Sequence, residues 1–361
     1  MTIKKAKKLL DELNLDAIVI YNGVYPFISP NFLYLFQPKS GIFEGSALLI
    51  TKDEFVLYTS KLEESAAKEN DLVKRGEIKV EVLDKKEKLF RKLKSFRRIG
   101  LEFENISASF YKRIENLGVL IVDVSEELNE LRAVKEEWEI EKIKKAVHVS
   151  EKALKKLIEE SDLRKMSESE IKAELEYLIA KQGCGFAFDT IVAFDGNAAI
   201  PHYTTKGVKK GAKKVILIDF GARCDNYCAD ITRTFIISKE DEIIKVYNAV
   251  LEAQIKAIET IKEGIEASHP DKIAREIIKS KGFNDYPHSL GHMLGILVHD
   301  GKIRLHHKVT EKLKAGMIFT VEPGIYIEGK FGIRIEDDIV VRKEKAEVLS
   351  SFPKELDDVI I

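Results

Sequence analysis

Cysteine is scarce in this chain of 361 residues, with three in all, Cys184, Cys224 and Cys228. An odd count does not make an even disulfide framework. A thiolate metal site would want more such ligands, usually in a C-x-x-C pair. Cys224 and Cys228 are therefore expected to pack as small buried side chains. Tryptophan occurs once, as Trp138. Glutamine occurs three times among abundant Lys, Glu and Ile, a balance of the kind thermophilic proteins favour. Charge of one sign is also missing. Lys and Arg number 59 against 60 Asp and Glu, a net charge of −1. That leaves no electrostatic case for nucleic acid or an anionic membrane surface as partner. No apolar stretch reaches transmembrane length, and the opening MTIKKAKKLLDELNLD is too polar for a signal peptide. The expected location is cytoplasmic. The remaining composition, 45% hydrophobic, supports a real core, and the length allows two domains.

The first 125 residues alternate strand-like and helical segments. Residues 2–13 read as a helix with Ala6, Leu9, Leu10 and Leu13 on one face. DAIVIY (16–21), GSALLI (45–50), EFVLYT (54–59), KVEVL (79–83), RIGLEF (98–103) and VLIVDV (119–124) read as strands. Helical stretches are expected at 61–74, 85–96 and 108–117. This pattern makes a small α/β domain. It has no glycine-rich phosphate loop, and its acids and bases read as a solvated surface.

Near Leu131 the character changes to a long, charged, amphipathic helix pattern containing Trp138, an expected packing anchor. Ser167 and Glu170 form a capping-box pattern ahead of a second helix that ends at Gly183 and Gly185. Further helices are expected at about 239–262 and 270–280.

The chemistry is concentrated in the C-terminal half. VILIDFGARCDNYCADITRT (215–234) opens as a buried strand that ends on Asp219, and Asp230 starts another strand-like segment. Gly221, Arg223, Asp225 and Asn226 lie between them and read as a chain reversal. Folding back brings Asp219 to Asp230, and two adjacent carboxylates need a counter-charge. Read alone, the pair could instead be a turn residue and a solvated edge charge. His202 follows Pro201 and so enters in an extended conformation. His288, His292 and His299 crowd one segment, with Gly291 and Gly295 flanking the middle one. Glu322 ends the strand IFTVE. In IRIEDDIVV, alternation puts Arg334, Glu336 and Asp338 on one face and Ile333, Ile335 and Ile339 on the other. Two Asp, one His and two Glu make a hard, oxygen-rich donor set. It suits Mn²⁺, Co²⁺, Fe²⁺ or Zn²⁺ in a two-metal centre, with ions about 3.5–4 Å apart sharing a water.

The sequence resembles the pita-bread metallopeptidases, in their proline-specific branch of Xaa-Pro dipeptidase (prolidase) and aminopeptidase P. The matching pieces are IDFGA with Asp219, ADITRT with Asp230, GHMLG with His292, TVEPGIY with Glu322 and GIRIEDD with Glu336. The resemblance implies an α+β fold, with a C-terminal pita-bread catalytic domain over residues 126–361. A smaller creatinase-type α/β domain would precede it, over 1–125. It implies two divalent metals, Mn²⁺ or Co²⁺ before Zn²⁺ or Fe²⁺, held by Asp219, Asp230, His292, Glu322 and Glu336. Glu322 would also shuttle the proton. His202, His288 and His299 would line the substrate site and stabilise the tetrahedral intermediate, with Arg334 beside the last ligand. The expected substrate is a small peptide with proline second, and the expected assembly is a homodimer.

Two positions depart from the family pattern. GHMLG stands where GHGIG is usual, so Met293 is expected to narrow the pocket. VHD stands where VHE is common, at Asp300. Methionine aminopeptidase shares the metal set but lacks the N-terminal domain. Creatinase shares the layout but works without metals. A non-enzymatic peptide-binding relative would usually lack ligands, and this chain lacks none. The compact length favours dipeptidase over aminopeptidase P.

Overall fold

The run AIVIY does not alternate apolar with polar residues, so a strand made from it must be covered on both faces. In the computed structural model of the chain, which describes residues 2–83 and 87–361, that strand, Ala17–Asn22, is buried throughout. It lies inside a six-stranded sheet whose spatial order is Lys79–Val82, Phe55–Thr59, Ser46–Ile50, Ala17–Asn22, Arg98–Leu101, Leu120–Asp123. It runs antiparallel to Ser46–Ile50 and parallel to Arg98–Leu101. Val19, Tyr21 and Leu49 pack with Phe90, Leu93, Phe110 and Ile114. Tyr21 stacks on Phe110, with ring centroids 3.7 Å apart. The helix Thr2–Glu12 buries Ala6, Leu9 and Leu10. This sheet and its helices form one of two compact units, Met1–Arg132, and the other is Ala133–Ile361. The division falls after Arg132 because the helix Ser125–Ala133 goes with the first unit, where the sequence pattern puts the boundary after residue 125.

Three details of the first unit differ from the sequence reading. The helical stretch 61–74 breaks at Asn70, which has extended backbone. The Asn70 side chain accepts from Leu72 N (2.9 Å) and donates to Phe36 O (2.7 Å), ending one helix and capping the next. The helix expected over 85–96 is Glu87–Leu93, and residues 84–86 lie outside the described residues. Glu102, a surface acid by the sequence pattern, is fully buried. It accepts from Ser29 Oγ (2.6 Å), Asn31 Nδ2 (2.7 Å) and Asn105 Nδ2 (2.7 Å). Burial pushes its carboxyl above the usual range despite those donors.

In the second unit, the long helix pattern from Leu131 is interrupted, and the main helix is Glu137–Glu160. Glu136 is its N-cap, with its backbone N–H donating to the Glu139 carboxylate at 2.9 Å. Trp138 packs edge-on to Tyr227 within this unit. The Ser167/Glu170 capping box is present and starts the helix Glu168–Ala180. Glu137–Glu160 packs on Glu168–Ala180 and on the short strands Ala222–Cys224 and Tyr227–Cys228. Asp241–Thr260 packs on Ser268–Ser280 and on strands from the 318–334 segment.

The strands here are short and antiparallel. Val215–Phe220 lies between Ile191–Phe194 and Ile231–Ile236. Gly324–Ile327 pairs with Phe331–Arg334, and Ile318–Val321 pairs with Asp337–Val340. The stretch read as one strand, IRIEDDIVV, is therefore two, broken at Ile335–Glu336 where the chain changes partner. Arg233, on Ile231–Ile236, is buried beneath that break. It donates to Glu336 O (2.6 Å), Thr232 O (3.0 Å), Phe352 O (2.8 Å) and Asp337 Oδ1 (2.7 Å). Gln254 Nε2 (3.0 Å) and Lys354 complete the shell of Asp337 Oδ2.

Arg233→Met is expected to cost about 3–5 kcal/mol, the usual penalty for breaking a buried ion pair. The loss would be read as a lowered midpoint in guanidinium unfolding. A cost under ~1 kcal/mol would show that this network does not secure the broken strand.

Candidate metal centre

Asp219 and Asp230 meet because of strand register. Val215–Phe220 and Ile231–Ile236 pair with Thr232 opposite Asp219 and Ile231 opposite Phe220, so Asp230 enters just past the end of the ladder. Between them the chain makes a small hairpin of Ala222–Cys224 with Tyr227–Cys228. Its two turn residues, Asp225 (φ 49°) and Asn226 (φ 70°), are both left-handed, as a tight primed turn requires. At Gly221 a Cβ would come within 1.7 Å of Ala229 O, so only glycine lets the chain cross there. The hairpin carries a feature opposite to the sequence reading, a disulfide between Cys184 and Cys224. An odd cysteine count forbids complete pairing but leaves one bridge possible. Cys228 is the free, buried thiol.

His292 sits on a two-residue strand beside Thr320, whose Oγ1 accepts from His292 N at 3.1 Å. Its Nδ1 is 3.3 Å from Met293 O. A carbonyl only accepts, so Nδ1 carries the proton and Nε2 keeps its lone pair. Nε2 lies 3.6 Å from Asp230 Oδ2 and 3.5 Å from Glu322 Oε1. Glu336 stands in the break between its two strands. Its N–H donates to Thr232 O (3.1 Å), and its Oε2 accepts from Thr232 Oγ1 (2.6 Å). Asp230, His292 and Glu336 bring ligand atoms within 4.8 Å of one another. Asp219 Oδ2 accepts from Arg334 Nη2 at 2.5 Å, while its Oδ1 is buried with no hydrogen-bond partner.

This crowding is costly. Burial first, then Glu336 and Asp219, push the Asp230 carboxyl well above its ordinary range. Burial, then Glu322 and Asp219, do the same to Glu336. Burial raises Glu322 to about 8, against the pull of Arg334. Burial and the neighbouring His299 push His292 down to about 3, so its imidazole is neutral. Converging acids, an orphaned buried oxygen and a neutral imidazole lone pair aimed at the acids together fit a divalent cation.

Two family models match the chain. One is metallopeptidase family M24, over residues 141–343, and the other is the creatinase/prolidase N-terminal domain, over 2–134. This chain belongs to metallopeptidase family M24. It is 34% identical to an Xaa-Pro dipeptidase of Pyrococcus horikoshii and 33% identical to one of Pyrococcus furiosus. The first alignment covers 98% of both chains, and the second covers 98% of this chain and 99% of the relative. Its fold matches the crystal structure of an X-Pro aminopeptidase from Thermotoga maritima with a TM-score of 0.87 at 35% identity. That match covers 97% of this chain and 99% of the other. Membership of M24 accounts for a centre built for divalent metal ions.

Around the M24 centre lie the other residues picked out in the sequence. Arg334 is buried, and besides Asp219 it reaches Thr232 Oγ1 (3.2 Å), Tyr326 OH (3.1 Å) and Pro201 O (3.4 Å). His299 is exposed and meets the His292 ring edge to face, with centroids 4.2 Å apart. His202 is exposed on the coil after Pro201, near enough to interact electrostatically with both His288 and His299. His288 has both ring nitrogens engaged, Nδ1 to Ser289 O (2.8 Å) and Nε2 to Tyr326 OH (2.9 Å). Burial holds it down at about 4.

Sequence reasoning missed Tyr326, Thr232 and Thr320. Tyr326 could have been found from the hairpin register, since Gly324 faces Arg334 and Tyr326 shares the face of Gly324. Met293 does not narrow a pocket. It is 1% exposed, and its Sδ fills the space that a Cβ at Gly301 would enter. His307 donates its backbone N–H to the buried Asp271 at 2.7 Å.

A carboxyl whose folded pKa lies above its unfolded one binds more protons folded than unfolded, so stability falls as pH rises between the two. For Glu322 that window runs from 4.5 to about 8, and Asp230 and Glu336 shift in the same direction. Metal-free protein should therefore lose thermal stability from about pH 5 to about pH 8, while added Mn²⁺ stabilises it more at the upper end. A metal-free melting temperature that stays flat or rises across the window would contradict the clustering of acids.

Proposed function

We propose that the chain is an Xaa-Pro dipeptidase, hydrolysing the amide between an N-terminal residue and proline. One observation carries this reading. Asp230, His292, Glu322 and Glu336 converge in a chain that matches an Xaa-Pro dipeptidase over nearly its whole length. With Asp219 they would hold two divalent ions, Mn²⁺ or Co²⁺ before Zn²⁺ or Fe²⁺, since the donors are mostly hard oxygens. Bound there, the ions would lower the pKa of a water and polarise the scissile carbonyl.

The chain's own residues would do the rest. Glu322 takes the proton of the attacking water and delivers it to the leaving imino nitrogen. Its burial favours the protonated form between those two steps. His299 and His202, both exposed beside the centre, donate to the oxyanion. His288, with both nitrogens committed, holds Tyr326 and through it Arg334. Arg334 donates to Asp219 and fixes the direction of its carboxylate.

The enzyme would act on small peptides in the cytoplasm, without nucleic-acid or membrane partners. Among the described residues no helix is long and apolar enough to cross a membrane. A disulfide is unusual in cytosolic proteins except those of hyperthermophiles, whose compositional balance the chain shares. We also propose a homodimer. Val24, Tyr25, Ile42 and Leu62 are large apolar side chains left exposed on the first unit, which supports a covered surface there. The match to an X-Pro aminopeptidase structure favours a second reading, aminopeptidase P acting on longer peptides.

Met-Pro should be cleaved with a higher kcat/KM than Met-Pro-Ala in the presence of Mn²⁺ or Co²⁺. The reverse order would assign aminopeptidase P, and cleavage of Met-Ala-Ser alone would defeat both. Glu322→Gln should lower kcat by about 10²–10⁴-fold, the usual worth of a positioned acid–base group. Near-parental turnover would remove Glu322 from the proton path.

A further inference from the structure

His292 and His299 stand at opposite ends of one loop, yet their rings touch. The loop is closed by Asp300. Its backbone N–H donates to Met293 O at 2.8 Å, and its Oδ2 accepts from Ile296 N at 3.0 Å. Met293 O is also the oxygen that His292 Nδ1 reaches. Asp300 thus fixes the acceptor that sets the His292 tautomer, and with it the direction of Nε2.

Lys135 stands behind Asp300, in the segment that joins Ser125–Ala133 to Glu137–Glu160. Its Nζ is 3.9 Å from Asp300 Oδ2, with side chains 1% and 0% exposed. The loop is folded down onto this pair. A Cβ at Gly295 would lie 2.2 Å from Asp300 Oδ2 and 3.0 Å from Lys135 Cε, so any side chain at 295 would displace the pair. On its other side the loop accepts from Cys228, whose N–H reaches Gly295 O (2.8 Å) and whose thiol reaches Ile296 O (3.4 Å). Cys228 lies two residues before Asp230, so the histidine loop and the strand that delivers Asp230 are tied together.

Burying an ion pair is expensive, and an apolar pair of similar volume often serves stability as well. A charged pair that closes the loop between two site histidines serves geometry. We propose that Lys135 and Asp300 are positioning residues, a buried clasp that aims His292 and sets metal affinity from outside the ligand set. The proposal rests on the metal-centre reading.

The test is a Co²⁺ titration near neutral pH, followed by visible absorption and calorimetry, with the melting temperature of each metal-free protein measured alongside. Asp300→Ala should weaken Co²⁺ binding by about 10- to 100-fold, as loss of an outer-shell partner commonly does. Asp300→Asn keeps an acceptor for Ile296 N and should recover part of that loss. The double variant Lys135→Met with Asp300→Asn removes both charges, so its metal-free melting temperature should return toward the parent while its affinity stays weakened. Co²⁺ affinities within about twofold of the parent in all folded variants, with only the melting temperature moved, would make the clasp purely structural and overturn the proposal. A parent that binds no Co²⁺ would instead overturn the metal-centre reading, and the clasp with it.

Discussion

Carboxylates that repel one another are held together in the second unit of this protein, and most of its local irregularities serve to keep them there. Asp230 and Glu336 are almost completely buried, and Glu322 and Asp219 bear on both. Left on flexible loops, such groups would move apart. Here each is pinned by backbone or hydroxyl. Thr232 grips Glu336 at both ends, through its carbonyl and its hydroxyl. Asp230 N donates to Asp338 Oδ2 at 3.0 Å, which fixes the start of its strand. Arg334 supplies positive charge, but it is spent on Asp219 and on neutral acceptors.

Strand alternation then separates two electrostatic layers. On Ile231–Ile236 the hydroxyls of Thr232 and Thr234 reach Glu336 and Arg334, while Arg233 between them points the other way. Around the break, Glu336 faces the centre and Asp337 faces Arg233. The lower layer is neutralised inside the protein by Arg233 and Lys354, and these cations hold the Asp337 carboxyl below its ordinary range in spite of burial. Among the described residues the upper layer has no comparable set of cations, Arg334 being the one beside it. Two acids adjacent in sequence thus sit in opposite electrostatic surroundings, because their side chains leave the chain on opposite sides at the break.

This explains what could be read from the residues alone. Asp219, Asp230, Glu322 and Glu336 stood out because charged side chains at the ends of apolar runs are rarely tolerated without a purpose. The strands carrying them were legible for the same reason. What stayed hidden depended on pairings between distant segments. The 331–340 run looks continuous because the change of strand partner leaves no mark on its composition. Glu102 looks like a surface acid because Ser29, Asn31 and Asn105 are scattered along the chain. The Cys184–Cys224 bridge escapes a parity argument, because an odd count excludes only complete pairing. Bulk alone misjudges Met293, since which way it packs is decided by the empty place at Gly301.

His288 and His292 show how little separates a structural histidine from a candidate ligand. Both give Nδ1–H to the carbonyl of the next residue, Ser289 O and Met293 O, so both present Nε2 as an acceptor. Burial keeps both neutral. The difference lies in what faces Nε2. For His288 it is the Tyr326 hydroxyl, a donor that satisfies the lone pair within the protein. For His292 it is two carboxylates at 3.5 and 3.6 Å, which have no proton to give when ionised. Ionised acids and a bare lone pair are unfavourable there together, so without a cation the acids take up protons, and a metal ion entering between them would replace those protons. The same ring in the same tautomer therefore braces the site in one place and asks for a metal in the other.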